Sequence, residues 1–376
     1  MVKGKKVLIV TNSSSYEPRA ERIGSYLKKQ GCSVAWIQSD FIHREKEKLK
    51  REKEDHLYID TIPYKKNLSV SRLYSHYDFA VKAQREMKRQ GADLLYVLLP
   101  ANSLAGAAVK AANKLNCRLV FDVIDLWPES LRLGKMGKLP PFKFWRNLRD
   151  NWLPKADLVI TECDFYHRYI NVADIKTMTM YWHKEQKAEP IPFAEDKDCL
   201  HFVYLGSINY IIDISRIVEI METVQKTRRA VLHVIGDGEN RELFESVLKE
   251  REIKAIFYGA IYDEEEKKKL FSKCSFGFNL MKPGVCVGMT MKSIDYFCYG
   301  IPIVNNIPGD TWELVDRYGI GINCDDGVQA GEMILKYAEE LQKKRAEIRS
   351  LYTQYFTVEA MEARLEEAVL PLLNQR

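Results

Sequence analysis

Short apolar runs alternate with amphipathic stretches along the whole chain, and this alternation restricts the fold more than any other feature. Strand-like runs cover 7–11, 33–37, 94–99, 118–123 and 158–161, with helical patterns at 19–30 and 104–115 between them. The second half repeats the rhythm at 201–205, 230–235, 255–258, 276–280, 302–305 and 321–324. Strands separated by helices pair in parallel, with helices on both faces of the sheet. A chain of 376 residues has room for two such domains. The polar, proline-bearing stretch 184–192 reads as the linker, which sets expected limits of 1–188 and 189–355. In a last piece, 356–376, Met361, Leu365, Ala368 and Leu372 recur at helical spacing, predicting one amphipathic helix over 358–373 that completes the fold. The charge-dense run 44–54 is expected to be a solvated helix or loop. The expected architecture is α/β: two Rossmann-like, doubly wound domains facing across a cleft.

Composition narrows the class. The longest apolar runs, such as 94–99, are far too short to cross a bilayer. No leader-like segment precedes the strand at 7–11, so a cytoplasmic location is expected. A net charge of +5 demands no nucleic-acid partner. None of the eight cysteines forms a C-x-x-C pair or stands at a zinc-ligand spacing with a histidine, so free thiols and no metal site are expected.

Doubly wound sheets bind ligands beyond the carboxyl ends of their strands, so the residues following each strand are the candidates. After the first comes a small polar loop with Ser14, Ser15 and Arg19, fit either for an acceptor or for a capped turn. After 118–123 come Asp125, Trp127, Pro128 and Glu129. A carboxylate there can act as a base or stabilise developing positive charge, or Asp125 can simply cap a turn. In the second half, Gly206-Ser207-Ile208-Asn209 and Gly236-Asp237-Gly238 each put glycine where backbone must turn or approach closely. A loop holding Lys282, Gly288, Met289 and Thr290 then leads into a short helix with Lys292 and Asp295 one turn apart, ending at Gly300-Ile301-Pro302. The helix dipole disfavours a lysine in the first turn unless an anion docks there. A diphosphate on Lys292 with a ribose on Asp295 satisfies that condition; a solvated ion pair is the plainer alternative. Finally, 130–155 carries seven basic residues against the single acid Asp150, among them Lys143, Arg146 and Arg149, together with Trp145 and Trp152. A basic, aromatic, amphipathic segment fits an anionic membrane surface, or else a partly buried helix with a basic outer face.

Three of these stretches carry a family likeness. Asp125-Leu126-Trp127-Pro128-Glu129-Ser130 with Leu133-Gly134, Gly236-Asp237-Gly238, and the segment from Lys292 to Val304 stand in the order seen in GT-B glycosyltransferases, and the chain resembles the retaining, family-4 type of bacterial polysaccharide assembly. The resemblance implies a nucleotide diphosphate sugar (UDP or GDP) as donor, bound by the C-terminal domain, and a lipid-linked or saccharide acceptor bound by the N-terminal one. It implies retention of anomeric configuration without a cofactor or obligatory metal, work at the inner face of the cell membrane, Asp295 in the ribose-holding position and Asp125 beside the reacting sugar. Two departures stand out: Val287 occupies the position of a second glutamate common in the family, and no cation follows the first glycine loop of the second half before Arg216. A nucleotide-sugar epimerase and a non-catalytic nucleotide-binding partner of the same architecture are the competing readings.

Overall fold

The computed structural model describes residues 2–43, 45–50, 53–66, 68–131, 134–170, 172, 175–185 and 192–374. Arg132 and Leu133, and most of the linker, lie outside the described residues. The chain divides into two compact units, Met1–Tyr181 with Met361–Arg376, and Trp182–Ala360.

The strands of the first unit are β1 (Lys6–Thr11), β2 (Ser33–Ser39), β3 (Phe41–Ile42), β4 (Glu47–Lys48), β5 (His56–Ile59), β6 (Leu94–Leu99), β7 (Arg118–Val123), β8 (Leu158–Thr161) and β9 (Thr177–Thr179). Seven of them form one sheet in the order β5-β2-β1-β6-β7-β8-β9, every neighbouring pair parallel. All six residues of β6 are buried, as a central strand covered on both faces requires. Strand β5, strand β9 and the helix Val70–Gln90 carry no strong apolar run and add to the elements legible from sequence.

The 44–54 run departs from expectation. Its described part contributes β4, which pairs antiparallel with β3. Ion pairs to other segments hold it: Lys48 to Asp40 at 2.9 Å and to Asp60, Lys53 to Glu17 at 2.6 Å and to Glu21. The terminal helix is also broken, into Val358–Ala368 and Leu370–Asn374. Pro371 lacks the N–H that a continuous helix would need. Met361, Leu365, Ala368 and Leu372 are buried as expected, within the first unit.

The second unit contributes β10 (Cys199–Leu205), β11 (Arg229–Ile235), β12 (Ala255–Gly259), β13 (Phe276–Asn279), β14 (Ile303–Asn305) and β15 (Gly321–Asn323). They form a parallel sheet in the order β12-β11-β10-β13-β14-β15. One face packs Leu200, Phe202 and Tyr204 against Ile217, Met221 and Phe244 of the flanking helices.

Arg19 corrects one expectation outright. Rather than facing an acceptor it is fully buried, donating from Nε and Nη2 to the two carboxylate oxygens of Asp122 at 2.8 and 3.0 Å. Its remaining donors reach the carbonyls of Met180 and Tyr181, and Tyr96 donates to the same carboxylate at 2.9 Å. The pair ties the first helix to β7 and to the chain leaving β9. Asp122→Ala should cost about 3–5 kcal/mol in denaturant unfolding, because it strands a buried guanidinium; a loss below about 1 kcal/mol would contradict this role.

Candidate functional site

Two glycine loops sit at the carboxyl edge of the second sheet, backbone against backbone. Gly206 N–H donates to Ile235 O at 2.9 Å, and Ile208 N–H to Asp237 O at 2.9 Å. A methyl at Gly236 would collide with the Gly206 carbonyl, and one at Gly238 would lie 2.5 Å from Ile208 O. The Gly236-Asp237-Gly238 turn is thus dictated by loop packing, with φ values of 143° and 157° at its glycines. Asp237 is exposed and caps its own turn through Gly238 N–H. Asn209 likewise closes a turn by accepting from Ile211 N–H, and Ser207 is exposed beside it.

Lys292 lies over this platform. Its Nζ is 4.4 Å from the Tyr204 ring centroid and 3.7 Å from where a Gly206 Cβ would stand. Among the described residues no carboxylate pairs with it. Burial, with nothing opposing it, pulls its ammonium down to about 8. A desolvated cation without a counter-charge, beside glycine backbone at a sheet's carboxyl edge, is suited to an anion.

The helix Met291–Cys298 carries this lysine and is capped by Thr290, whose hydroxyl accepts from Ser293 N–H and donates to Asn279 at 2.9 Å. Gly288 and Met289 are buried, and the Gly288 carbonyl takes two hydrogen bonds from Thr311. These residues therefore fix the loop that delivers Lys292. Asp295 goes elsewhere: it pairs with Lys184, and Lys267 stands 4.0 Å away. The structure does not bring Lys292 and Asp295 onto one ligand. Lys282 is exposed and shares a pocket of about 330 Å³ with Asp213, Arg216, Asn306 and Trp312. Arg216, in the first turn of the helix Ile214–Gln225, thus joins Lys282 although 66 residues separate them in sequence.

In the first unit the structure assembles a cluster that the sequence did not announce. Asp125, beyond β7, accepts from Ser130 Oγ at 2.6 Å. Burial raises its carboxyl, while hydrogen bonds from Ser130, Trp127 and Leu126 and the charge of Arg72 pull it back. Tyr16, after β1, is raised well above the usual phenol range by burial, by Asp125 and by Glu162, which follows β8. Arg72 stacks on Trp127 at 3.9 Å and lies 5.7 Å from Tyr64. The His76 ring lies parallel to Trp127, 6.0 Å away, its buried Nδ1 without a hydrogen-bond partner among the described residues. Ser14 and Ser15 belong to the short turn leading to Tyr16, Ser15 exposed.

Three further expectations change. Glu129 is held by Arg146 and by Arg149 at 3.2 and 3.3 Å, with its side chain 7% exposed. Its charge is engaged in clamping the helix Pro140–Asp150 to the loop after β7. Arg149 and Trp145 are buried on that helix and cannot meet a membrane. Trp152 is half-buried against Gly106, while Lys143 is exposed and Arg146 half-buried.

The two parallel-sheet units define the GT-B fold. The chain is similar to a sucrose-phosphate synthase from Thermosynechococcus elongatus, with a TM-score of 0.72 at 14% identity over 98% of this chain and 99% of that one. It is similar also to the lipopolysaccharide outer core galactosyltransferase WaaB, with a TM-score of 0.69 at 14% identity over 97% and 99%. A third likeness is to Anabaena HepE in complex with UDP and glucose, with a TM-score of 0.64 at 13% identity over 98% and 100%. No family model and no curated protein matches the sequence.

Two predictions follow the charges of the second unit. The ordinary lysine value is 10.5 and the folded one about 8, so between those limits the unfolded chain binds more protons and stability rises with pH. Below about 8 the penalty is complete. Lys292→Met should therefore stabilise the ligand-free protein at pH 7, by up to about 3 kcal/mol, with the gain shrinking toward pH 10.5; destabilisation at pH 7 would contradict an uncompensated charge. Asp295→Ala should lose roughly 1–3 kcal/mol by leaving Lys184 unpaired. Adding Lys184→Met should recover part of that loss in the same unfolding assay, and an additive double mutant would disprove the coupling.

Proposed function

We propose that this protein is a retaining glycosyltransferase that moves a sugar from a UDP- or GDP-linked donor to a lipid-linked or saccharide acceptor in cell-surface polysaccharide synthesis. The observation that carries the reading is Lys292, a desolvated ammonium with no acidic partner among the described residues, set on the glycine platform of a GT-B second unit. Breaking the bond between sugar and diphosphate leaves negative charge on the phosphates. Lys292, aided by Lys282 and Arg216, stabilises that charge. Cationic side chains supply what a divalent ion would, so the reaction needs no obligatory metal. Asp125 orients the acceptor hydroxyl or stabilises the oxocarbenium-like centre, with Tyr16 and Arg72 tuning its charge. Asp295 reaches a ribose only by releasing Lys184.

That pairing, together with Val287, favours a second reading: a GT-B partner subunit that binds nucleotide without transferring sugar. Calorimetry with UDP and GDP, paired with a transfer assay over a donor panel, separates the two. Lys292→Met should weaken nucleotide binding about 10–100-fold, the worth of a charge-assisted contact. Asp125→Asn should leave affinity unchanged and lower turnover about 10²–10⁴-fold. Equal nucleotide affinity in Lys292→Met would remove the donor assignment. Binding without transfer or donor hydrolysis would favour the partner subunit.

We place membrane contact on a revised surface. No helix among the described residues is long and apolar enough to cross a membrane. Met136, Leu139 and Phe144 are exposed at 55%, 49% and 66% among exposed Lys135, Lys138 and Lys143. Apolar tips ringed by lysines suit the anionic inner leaflet of the cell membrane. Phe144→Ser with Lys138→Glu should abolish co-sedimentation with phosphatidylglycerol vesicles and leave nucleotide binding intact; undiminished co-sedimentation would contradict this surface.

A further inference from the structure

At the opposite, amino-terminal edge of the second sheet, three side chains of different ligand chemistry converge. Cys199 and His201 are the first and third residues of β10, so they project from the same face. Asp196, just before the strand, folds back in a turn in which its Oδ1 accepts from the N–H groups of Asp198 and Cys199 at 2.9 and 3.1 Å. Its Oδ2 is thereby turned to His201 Nε2 at 3.7 Å. Carboxylate oxygen, sulfur and imidazole nitrogen all lie within 4.8 Å of one another. In a tetrahedral zinc site, ligand atoms roughly 2.0–2.3 Å from the metal stand about 3.3–3.7 Å apart. The Asp196–His201 separation already fits, and a shift of about 1 Å brings in the sulfur.

The shell behind these groups is also formed. His201 Nδ1 is 2.9 Å from His233 Nε2, and His233 Nδ1 is 2.8 Å from Tyr258 Oη. Donation along this chain, from His201 to His233 and from His233 to Tyr258, leaves the lone pair of His201 on Nε2, toward Asp196 and Cys199. The three groups line a pocket of about 460 Å³ with Gln225, Arg229 and Lys254, which leaves room for water as a fourth ligand. Arg229 and Lys254, which line the same pocket, oppose a cation. One thiolate and one carboxylate balance a divalent charge.

We propose that Asp196, Cys199 and His201 bind a zinc ion, or another divalent metal that accepts mixed sulfur, nitrogen and oxygen ligands, with His233 and Tyr258 as positioning residues. Sulfur and imidazole select zinc or cobalt over magnesium or calcium. The metal would staple the chain entering the second unit to its first strand, a structural role separate from sugar transfer. A search for paired cysteines misses the site because its spacing is Asp-x-x-Cys-x-His.

The test is a cobalt(II) titration of the reduced, chelator-treated full-length chain, followed by zinc. The expected result is one cobalt per chain, with tetrahedral ligand-field absorption and a thiolate charge-transfer band, both bleached by zinc. Zinc should also raise the melting temperature. Cys199→Ser should remove the charge-transfer band. Asp196→Asn, at an exposed position that tolerates change, should weaken cobalt binding, and Tyr258→Phe should weaken it roughly 10–100-fold while keeping the band. Cys286→Ser, in the loop before the helix Met291–Cys298, should change nothing. The proposal fails if wild type shows no charge-transfer band, if the band survives Cys199→Ser or disappears in Cys286→Ser, or if Asp196→Asn binds as tightly as wild type.

Discussion

A half-buried, partly desolvated ammonium with no carboxylate to meet it among the described residues is the constraint on which the functional reading rests. Folded proteins seldom leave a desolvated charge uncompensated, because a neighbouring acid or a change of protonation removes the cost. Among the described residues Lys292 meets the face of Tyr204 and the backbone around Gly206, and no carboxylate pairs with it. The helix dipole adds to the penalty at its first turn. An arrangement unfavourable in the free protein becomes favourable once a phosphate arrives, which is how binding energy is concentrated at a reacting centre.

The surrounding architecture holds that charge in place with ordinary packing. Loops from neighbouring parallel strands approach so closely that Gly236 and Gly238 admit no side chain. The loop before Lys292 is pinned by Thr311 and Asn279. A row of asparagines links three strand ends beneath it, Asn279 to Asn305 at 2.8 Å and Asn305 to Asn323 at 3.0 Å. In the first unit, the Arg19–Asp122 pair and the clamp of Glu129 by Arg146 and Arg149 do comparable work. Charged residues that look catalytic on paper hold the loops from which other residues act.

Local periodicity explains what was legible in the sequence. Buried parallel strands such as Leu94–Leu99 are nearly continuous apolar runs, and the two-unit fold follows from their order. Lys292 was legible because a cation in a first turn conflicts with the dipole there. What stayed hidden depends on residues distant in sequence. Asp295 meets Lys184 across 111 positions and Arg19 meets Asp122 across 103. Arg72, His76 and Tyr64 join Trp127 only because a helix without a strong apolar signature, Val70–Gln90, delivers two of them. Glu162 was within reach of the same reasoning that found Asp125, since it too follows a strand. A lysine-rich composition does not say which side of a helix faces inward: on the basic helix Trp145 turns to the core and Phe144 to solvent.

The most direct test is proton uptake on nucleotide binding, measured by calorimetry of UDP in buffers of different ionisation enthalpy near pH 8. There Lys292, pulled down by burial to about 8, is within its titration range in the free protein, whereas the diphosphate of UDP is already ionised. Binding should draw a fraction of a proton onto the protein, and Lys292→Arg, charged at every accessible pH, should bind UDP with no uptake. Binding without proton uptake in the wild type, or the same uptake in Lys292→Arg, would show that the Lys292 ammonium is not where the diphosphate sits.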